Sequence, residues 1–285
     1  MSPESEATRR RFLATLGALG AGALVGPTIA VHAQGEHSHD SQPQSALART
    51  DSATQAQAHV AGTTADTSSA PDAEHQWAMV IDLRRCDGCE RCTQACQELH
   101  HLNPDQKWIN VYRIENANGQ THFMPRPCMH CENAPCVKVC PVAATFKKAD
   151  GVVLVNQNTC IGCRTCMAAC PYEARYFNWN EPPPAPTLLE QPMPEFPVPQ
   201  QRGTVGKCIL CVHNTGVGKL PACVDACTMG ALYIGDLKTD AATNGTETVK
   251  LSRFLKENDA VHYREELGTR PRVWYIPGHG QKLGQ

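Results

Sequence analysis

Apolar residues occur in short runs over residues 76–285. Residues 77–81 have the sequence Trp-Ala-Met-Val-Ile, which is typical of a buried strand. Residues 151–155 form the second arm of a predicted hairpin that turns at Asp150-Gly151. Three further runs predict strands at residues 107–114, 176–179 and 231–234. The pattern therefore predicts short elements around a small aliphatic core.

The first 33 residues have the pattern of an export signal. Residues 8–13 have the sequence Thr-Arg-Arg-Arg-Phe-Leu, an apolar stretch follows to Ala30, and the stretch ends at Val31-His32-Ala33. This pattern predicts a twin-arginine signal peptide over residues 1–33, and hence export of the folded chain to the periplasm. An uncleaved membrane anchor is the alternative, although the alanines and glycines of the stretch make it only weakly apolar.

Composition divides the remaining chain into a linker and a domain. Residues 34–75 are rich in small and polar residues and predict a disordered low-complexity linker, because they cannot offset their ordering entropy. The ordered domain is predicted at residues 76–285, with a C-terminal extension at 237–285. A proline-rich insertion at 180–206 either binds a partner or crosses the surface. The net charge of −2 gives no reason to expect nucleic-acid binding.

Sixteen cysteines fall into four motifs of four, and none is left over. Two motifs have the C-x2-C-x2-C-x3-C run of bacterial ferredoxins, in which three cysteines bind one cluster and the fourth binds another. The other two have longer central gaps but keep the final x3 step, which indicates an internal repeat. We therefore expect four iron-sulfur sites. The motifs, first to fourth, are Cys86/Cys89/Cys92/Cys96, Cys128/Cys131/Cys136/Cys140, Cys160/Cys163/Cys166/Cys170 and Cys208/Cys211/Cys223/Cys227.

The sequence around each motif predicts a loop followed by a short helix. Three residues separate the last two cysteines of every motif, and we expect them to lie in a helix that carries the fourth cysteine. Pro141 and Pro171 directly follow two motifs, where a helix must end. Gly88 and Gly162 lie inside the cysteine loops, where the backbone turns sharply.

Histidines and basic residues near the motifs have less specific interpretations. Because the cysteines alone complete the sites, the histidines are interpreted as structural; they are His100, His101, His130, His213 and His279. Six basic residues flank the cysteine loops, where they either offset cluster charge or form solvated surface. They are Arg84, Arg85, Arg91, Arg164, Arg175 and Lys207.

Three other interpretations of the cysteines remain open at this point. Four-cysteine sites also bind structural zinc, although zinc ribbons normally use two separated pairs. Disulfides are possible in an exported chain, but repeated C-x2-C spacing does not favour them. The third alternative is a diffusible exported polyferredoxin.

The motifs carry a specific family resemblance. The second motif, CMHCENAPCVKVCP, the third, CIGCRTCMAACPYEARYF, and the ALYIGDL that follows the fourth resemble the four-cluster iron-sulfur (ferredoxin-like) electron-transfer subunits of molybdopterin oxidoreductases. This family includes the subunits of dimethyl sulfoxide, polysulfide and tetrathionate reductases. With its export signal, the chain is similar to the periplasmic branch, which includes the nitrite-reductase relay and the ferredoxin subunit of the sulfite-reductase-associated transmembrane complex. The resemblance covers about residues 77–236.

The resemblance implies an α+β fold of two interleaved bacterial-ferredoxin-like halves, built around four [4Fe-4S] clusters from short strands and short helices. In this family the first motif pairs with the fourth and the second with the third. Carried onto this chain, the pairing implies four ligand sets. The first set is Cys86, Cys89, Cys92 and Cys227; the second is Cys96, Cys208, Cys211 and Cys223; the third is Cys128, Cys131, Cys136 and Cys170; the fourth is Cys140, Cys160, Cys163 and Cys166.

The resemblance also implies a role and partners. The chain is expected to relay single electrons between a polytopic quinone-reactive membrane subunit and a molybdopterin catalytic subunit or multihaem cytochrome c. It would lie in the periplasm, peripheral on the cytoplasmic membrane through those partners. We expect no catalysis by the chain itself, since no nucleotide loop, nucleophile elbow or metal-hydrolase motif occurs in it.

Overall fold

The computed structural model describes residues 74–116, 119–184 and 193–278. Its strands are all short, as the apolar runs predict, and the five predicted strands are present with shifted ends. In chain order the strands are β1 (Trp77–Asp82), β2 (Ile109–Glu115), β3 (Thr121–Pro127), β4 (Thr145–Lys147), β5 (Val153–Val155), β6 (Tyr176–Phe177), β7 (Val205–Gly206), β8 (Leu232–Asp236), β9 (Ala241–Thr243), β10 (Thr248–Lys250), β11 (Val261–His262) and β12 (Val273–Ile276).

Short helices accompany all four cysteine motifs. The helices are α1 (Arg91–His100), α2 (Pro135–Lys138), α3 (Thr165–Ala168), α4 (Val212–Thr215), α5 (Ala222–Asp225) and α6 (Leu251–Glu257), and a 3-10 turn follows at Glu265–Leu267. The prediction that each motif's helix carries the fourth cysteine is correct only for α1, which contains Cys92 and Cys96. In the other motifs α2, α3 and α5 carry the third cysteine and end two residues before the fourth.

Six strands form the main sheet in the order β10-β9-β8-β1-β12-β11. β1 pairs with β12 in parallel and with β8 antiparallel, so the strand before the first motif lies beside the strand after the fourth. Strands from residues 241–276 make up four of the six, and the C-terminal segment is therefore part of the sheet. Two hairpins, β2-β3 and β4-β5, and the separate strand pair β6-β7 lie outside this sheet.

The two faces of β1 contact different cores because successive side chains of a strand point to opposite faces. Met79 and Ile81 belong to a large core that contains many of the motif cysteines. Val80 lies in a smaller core with Tyr233 and Leu251. The main sheet therefore separates the cysteine-rich interior from a purely hydrocarbon and aromatic layer under α6.

Helix packing follows the nested relationship between the motifs. α1 packs against α5, and α2 packs against α3. With the paired strands β1 and β8, this packing places the first motif beside the fourth and the second beside the third. The expected α+β architecture is confirmed by this arrangement of short strands and helices.

The predicted signal peptide at 1–33 lies outside the described residues, as does the linker at 34–75 except for its last two residues. His75 Nδ1 is 2.9 Å from Asp236 Oδ2, so the ordered domain includes this residue. Of the proline-rich insertion, residues 193–206 contact the domain: the Phe196 ring lies 4.3 Å from the His213 ring, and β7 pairs with β6. Over the described ranges, the helices are all too short or too polar to cross a bilayer.

Candidate metal centre

Four cysteines from two motifs line one cavity beside α2. Cys128, Cys131 and Cys136 of the second motif meet Cys170 of the third around an empty volume of about 320 Å³. The Arg175 side chain lies at the same cavity. The structure thus brings together the four residues of the third ligand set.

A second cavity, of about 310 Å³, lies beside the start of α1. It is lined by Cys86, Cys89 and Cys92 of the first motif and by Cys227 of the fourth. Cys227 Sγ also accepts a hydrogen bond from the backbone N–H of Ala231 at 3.3 Å. The four residues of the first ligand set therefore surround one space, although the first and fourth motifs lie at opposite ends of the cysteine-containing sequence.

The second ligand set lies where α1 and α5 pack together. Burial raises the pKa of the Cys96 thiol, and the neighbouring Cys208 and Cys211 raise it further. The pKa of Cys223 is raised in the same way, by burial and then by Cys211, Cys208 and Cys96. Cys92 of the first set also raises both pKa values. Cys96 and Cys223 therefore lie close enough to Cys208 and Cys211 to interact with them electrostatically.

The fourth ligand set is partly assembled. Burial raises the pKa of Cys166, the charge and hydrogen bond of Arg175 oppose this effect, and the nearby Cys136 and Cys160 add to it. Cys163 at the loop tip is exposed. The hydroxyl of Thr165 lies 3.5 Å from Cys163 Sγ. Cys140 follows α2, which packs against the α3 that carries Cys166, and its sulfur is half-buried.

Backbone conformation in the cysteine loops explains the glycines found there. Gly162, between Cys160 and Cys163, has φ +68°, which side chains other than glycine adopt only with strain. A Cβ at this position would lie 2.2 Å from the carbonyl oxygen of Gly203. Gly88 of the first motif has φ +80°, and its Cβ would lie 2.4 Å from the ring of Phe123. Both loops therefore require glycine for conformation and for space.

Two buried cations next to the cysteines lack a carboxylate partner among the described residues. Lys207 is 1% exposed, and its acceptors within the described ranges are the carbonyl oxygens of Val153 and Cys208. Arg175 is 4% exposed; its Nη1 donates to Thr145 Oγ1, and its buried Nη2 has no hydrogen-bond partner within the described part of the chain. The guanidinium also lies close enough to Cys136 and Cys166 to interact with their sulfurs. Burying an unpaired charge is costly. An anionic group in the adjacent cavity would offset that cost, and a metal cluster held by thiolates is such a group.

The cysteine environments are suited to metal binding and not to free thiolates. Burial raises the pKa of Cys92 and of Cys131 to about 12. Without metal these thiols keep their protons at neutral pH. Because metals bind the thiolate, metal binding must release protons here and stabilise the fold at the same time. The residues present therefore fit thiolate-ligated iron-sulfur clusters.

One histidine that was interpreted as structural lies against a motif cysteine. His100 Nε2 is 3.4 Å from Cys211 Sγ, and the His100 side chain is buried. His130 is also buried, and its Nδ1 accepts the backbone N–H of Val153 at 3.1 Å. No sequence pattern distinguished His100 from the other histidines, because 111 residues separate it from Cys211.

Comparison with known families gives two matches to models described as 4Fe-4S dicluster domains. One covers residues 85–144, and the other covers residues 120–183. Together they contain the first three cysteine motifs in full.

Relatives of known description align over most of the domain. The chain is 38% identical to a protein of Halobacterium salinarum named as a dimethyl sulfoxide reductase iron-sulfur subunit, over 71% of this chain and 79% of that protein. It is 40% identical to a selenate reductase subunit of Mesobacillus selenatarsenatis, over 71% and 72% of the two chains. It is 37% identical to a tetrathionate reductase subunit of Salmonella typhimurium, again over 71% and 72%.

Proposed function

Because the chain belongs to the family of iron-sulfur electron-transfer subunits typified by those of dimethyl sulfoxide, selenate and tetrathionate reductases, we propose that it relays electrons along the four ligand sets in their numbered order. As a member of this family it holds four [4Fe-4S] clusters, each of which exchanges one electron. It is the electron-transfer subunit of an oxidoreductase complex and not the catalytic one. Because of this family membership, we interpret the cysteines as iron-sulfur ligands and not as zinc ligands or disulfides.

The nested ligand sets are part of this proposal. Two of them, the first and the third, have their four cysteines around one cavity each. In the second, Cys208 and Cys211 raise the pKa values of both Cys96 and Cys223, which supports their proximity. For the fourth, the packing of α2 on α3 and the proximity of Cys160 to Cys166 support the assignment.

The order of the relay follows from contacts between the sets. Cys92 of the first set and Cys96 of the second lie one turn apart on α1. Cys208 of the second set lies beside Cys128 of the third, whose proximity contributes to the raised pKa of Cys208. Cys136 of the third set lies close enough to Cys166 of the fourth to raise its pKa. In these three pairs each set is a neighbour of the next one, as a linear relay requires.

Exposed cysteines occur at the two ends of this order. Cys89 belongs to the first set and Cys163 to the fourth, and both are exposed, whereas every cysteine of the second and third sets is buried or half-buried. Apolar side chains lie next to each exposed cysteine: Met229 near the first set, and Ile161 beside Cys163. This distribution supports electron exchange with partner proteins at the two ends.

The partners proposed are a polytopic quinone-reactive membrane subunit and a molybdopterin catalytic subunit, with a multihaem cytochrome c as the alternative to the latter. The proposed location is the periplasmic side of the cytoplasmic membrane, after twin-arginine export. The curated relatives support a place in such complexes, since their names include reductase subunits and a menaquinol oxidoreductase subunit. A diffusible polyferredoxin is the alternative, and it predicts purification without partner subunits.

Metal analysis and fractionation test this proposal. The purified native chain is expected to contain about sixteen irons and about sixteen acid-labile sulfides. Solubilised membranes should yield it together with a membrane subunit and a catalytic subunit. Replacing Arg9 and Arg10 by lysine should stop its appearance in the periplasm. Zinc in place of iron, or recovery of the chain only as a free soluble protein, contradicts the proposal.

A further inference from the structure

The His100 side chain is enclosed by aromatic rings and is 1% exposed. The Trp108 ring lies 4.8 Å from it at 36°, the His213 ring lies 5.4 Å away and perpendicular, and the Phe196 ring lies 5.9 Å away. These contacts fix the imidazole plane and direct Nε2 to Cys211 Sγ at 3.4 Å. The distance is within the range of a hydrogen bond to sulfur.

The direction of this hydrogen bond follows from the chemistry of the two groups. A cysteine that binds iron is a thiolate, which accepts hydrogen bonds and has no proton to donate. The imidazole nitrogen that faces the sulfur must therefore be the donor. The Nδ1 atom of His100 is buried without a partner among the described residues. The N–H must therefore be on Nε2 for the contact with Cys211 to be favourable.

We propose that His100 donates an Nε2–H hydrogen bond to the Cys211 thiolate and thereby raises the reduction potential of the second ligand set's cluster. The inference rests on the proposed assignment of Cys211 as a ligand of that set. Hydrogen bonds to cluster sulfurs are among the determinants of reduction potential, because they stabilise the extra negative charge of the reduced state. The effect is large in this case because the contact is shielded from water.

His100 acts through Cys211, so it is a positioning and tuning residue. A role in packing alone predicts that an aromatic ring of similar size replaces it without electrochemical effect. If His100 tunes the cluster, the reduction potential changes when the N–H donor is removed and the ring is kept. The potential should then return when a donor without a ring is provided.

Two substitutions separate these roles in the intact purified chain. His100→Phe keeps a ring and removes the donor, whereas His100→Gln places an amide N–H near the position of Nε2. EPR-monitored redox titration should show one of four reduction steps shifted to lower potential in His100→Phe. We expect about a tenfold change in the oxidised-to-reduced ratio, equivalent to about 59 mV for one electron. His100→Gln should restore most of the shift. As a control, Phe254→Leu removes an aromatic ring from the other core and should leave all four potentials unchanged.

Pulsed EPR of the native sequence provides an independent measurement if His100→Phe does not assemble its clusters. With ¹⁵N-labelled histidine, the reduced protein should show hyperfine coupling to a histidine nitrogen, and this coupling should be absent in His100→Gln. Four unchanged potentials in a His100→Phe protein with full iron content overturn the inference. So does the absence of a ¹⁵N coupling, or its persistence in His100→Gln. Failure of the proposed function gives a different result from failure of this inference, since the native chain would then not contain about sixteen irons.

Discussion

The ammonium group of Lys207 donates a hydrogen bond to the carbonyl oxygen of Cys208 at 2.6 Å. Lys207 is thus a fully buried cation at the start of the fourth motif. Its neighbour Cys208 lies beside Cys128, so the charge is near the junction between the second and third ligand sets. This position accounts for a buried lysine without a carboxylate partner among the described residues if, as proposed, the second and third sets hold anionic clusters that supply the compensating charge.

Replacing Lys207 by methionine should lower the reduction potential of at least one cluster. Removal of a nearby positive charge disfavours the addition of an electron, and burial prevents water from screening the effect. We expect a change of about tenfold or more in the oxidised-to-reduced ratio, or about 59 mV, in a redox titration of the purified chain.

Lys219→Met is the matched control for this prediction. Lys219 is exposed on the loop between α4 and α5, so water and salt screen its charge. Its replacement should leave the potentials within a few millivolts of the wild type. Equal shifts in both variants would show that the potentials respond to net charge and not to the buried position of Lys207.

Cys140→Ser should remove one cluster and loosen two segments of the fold. Cys140 is proposed to connect the second motif to the loop of the third, so its loss affects both segments. The iron content should fall from about sixteen to about twelve per chain, and the thermal midpoint of cluster loss should decrease. Ala143→Ser, at an exposed neighbouring position, is the control. Unchanged iron content and midpoint in Cys140→Ser would contradict the assignment.

Gly162→Ala should disrupt the loop of the third motif more than Gly203→Ala disrupts its own loop. Both glycines have positive φ, +68° and +81°, so both substitutions introduce backbone strain of about 1 kcal/mol. Only at Gly162 would the new Cβ collide with another group, the Gly203 carbonyl oxygen at 2.2 Å. Iron content and thermal midpoint should fall in Gly162→Ala and remain close to wild type in Gly203→Ala. Similar behaviour of the two variants would show that backbone strain alone matters.

Arg272→Ala should destabilise the contact between the main sheet and the second motif. The Arg272 guanidinium donates to Glu132 Oε2 at 2.7 Å and to Gln76 Oε1 at 2.7 Å, and the side chain is 9% exposed. Its removal leaves partly buried acceptors unsatisfied, at a cost of about 2–4 kcal/mol. The thermal midpoint should fall by several degrees.

Arg253→Ala controls for the loss of an arginine as such. Arg253 pairs with Glu257 on the exposed face of α6, with its side chain 73% exposed. Exposed pairs of this kind contribute about 0–1 kcal/mol. A fall in thermal midpoint equal to that of Arg272→Ala would refute the importance of burial for this interaction.

Local sequence was sufficient for the features that depend on nearby residues. The strands at residues 77–81 and 231–234, the turn at Asp150-Gly151 and the loop glycines follow from patterns of a few residues. The helix positions were less well predicted. All four helices begin one residue before the third cysteine, but in the second, third and fourth motifs the helix has only 4 residues, so the fourth cysteine lies beyond its end.

These local patterns could not predict interactions between residues that are distant in the sequence. Flanking basic residues were equally compatible with solvated surface, and only burial distinguished Arg175 and Lys207 from the others. The pairing of the first motif with the fourth and of the second with the third was inferred from the family resemblance. The spacing of cysteines within a motif does not show which other motif lies beside it. No sequence pattern predicted the contact of His100 with Cys211, because the two residues are 111 positions apart.

The sequence by itself determined the kind of chemistry to expect: sixteen thiols in four motifs, two of them with ferredoxin spacing, favour iron-sulfur ligands, because ligand geometry within a loop depends on local spacing. The tertiary structure decided which motif meets which, through the contacts of α1 with α5, α2 with α3 and β1 with β8. It also decided which polar groups are enclosed with the sulfurs. Potentials depend on burial and on hydrogen bonds to the ligands, and both arise only when distant segments pack together.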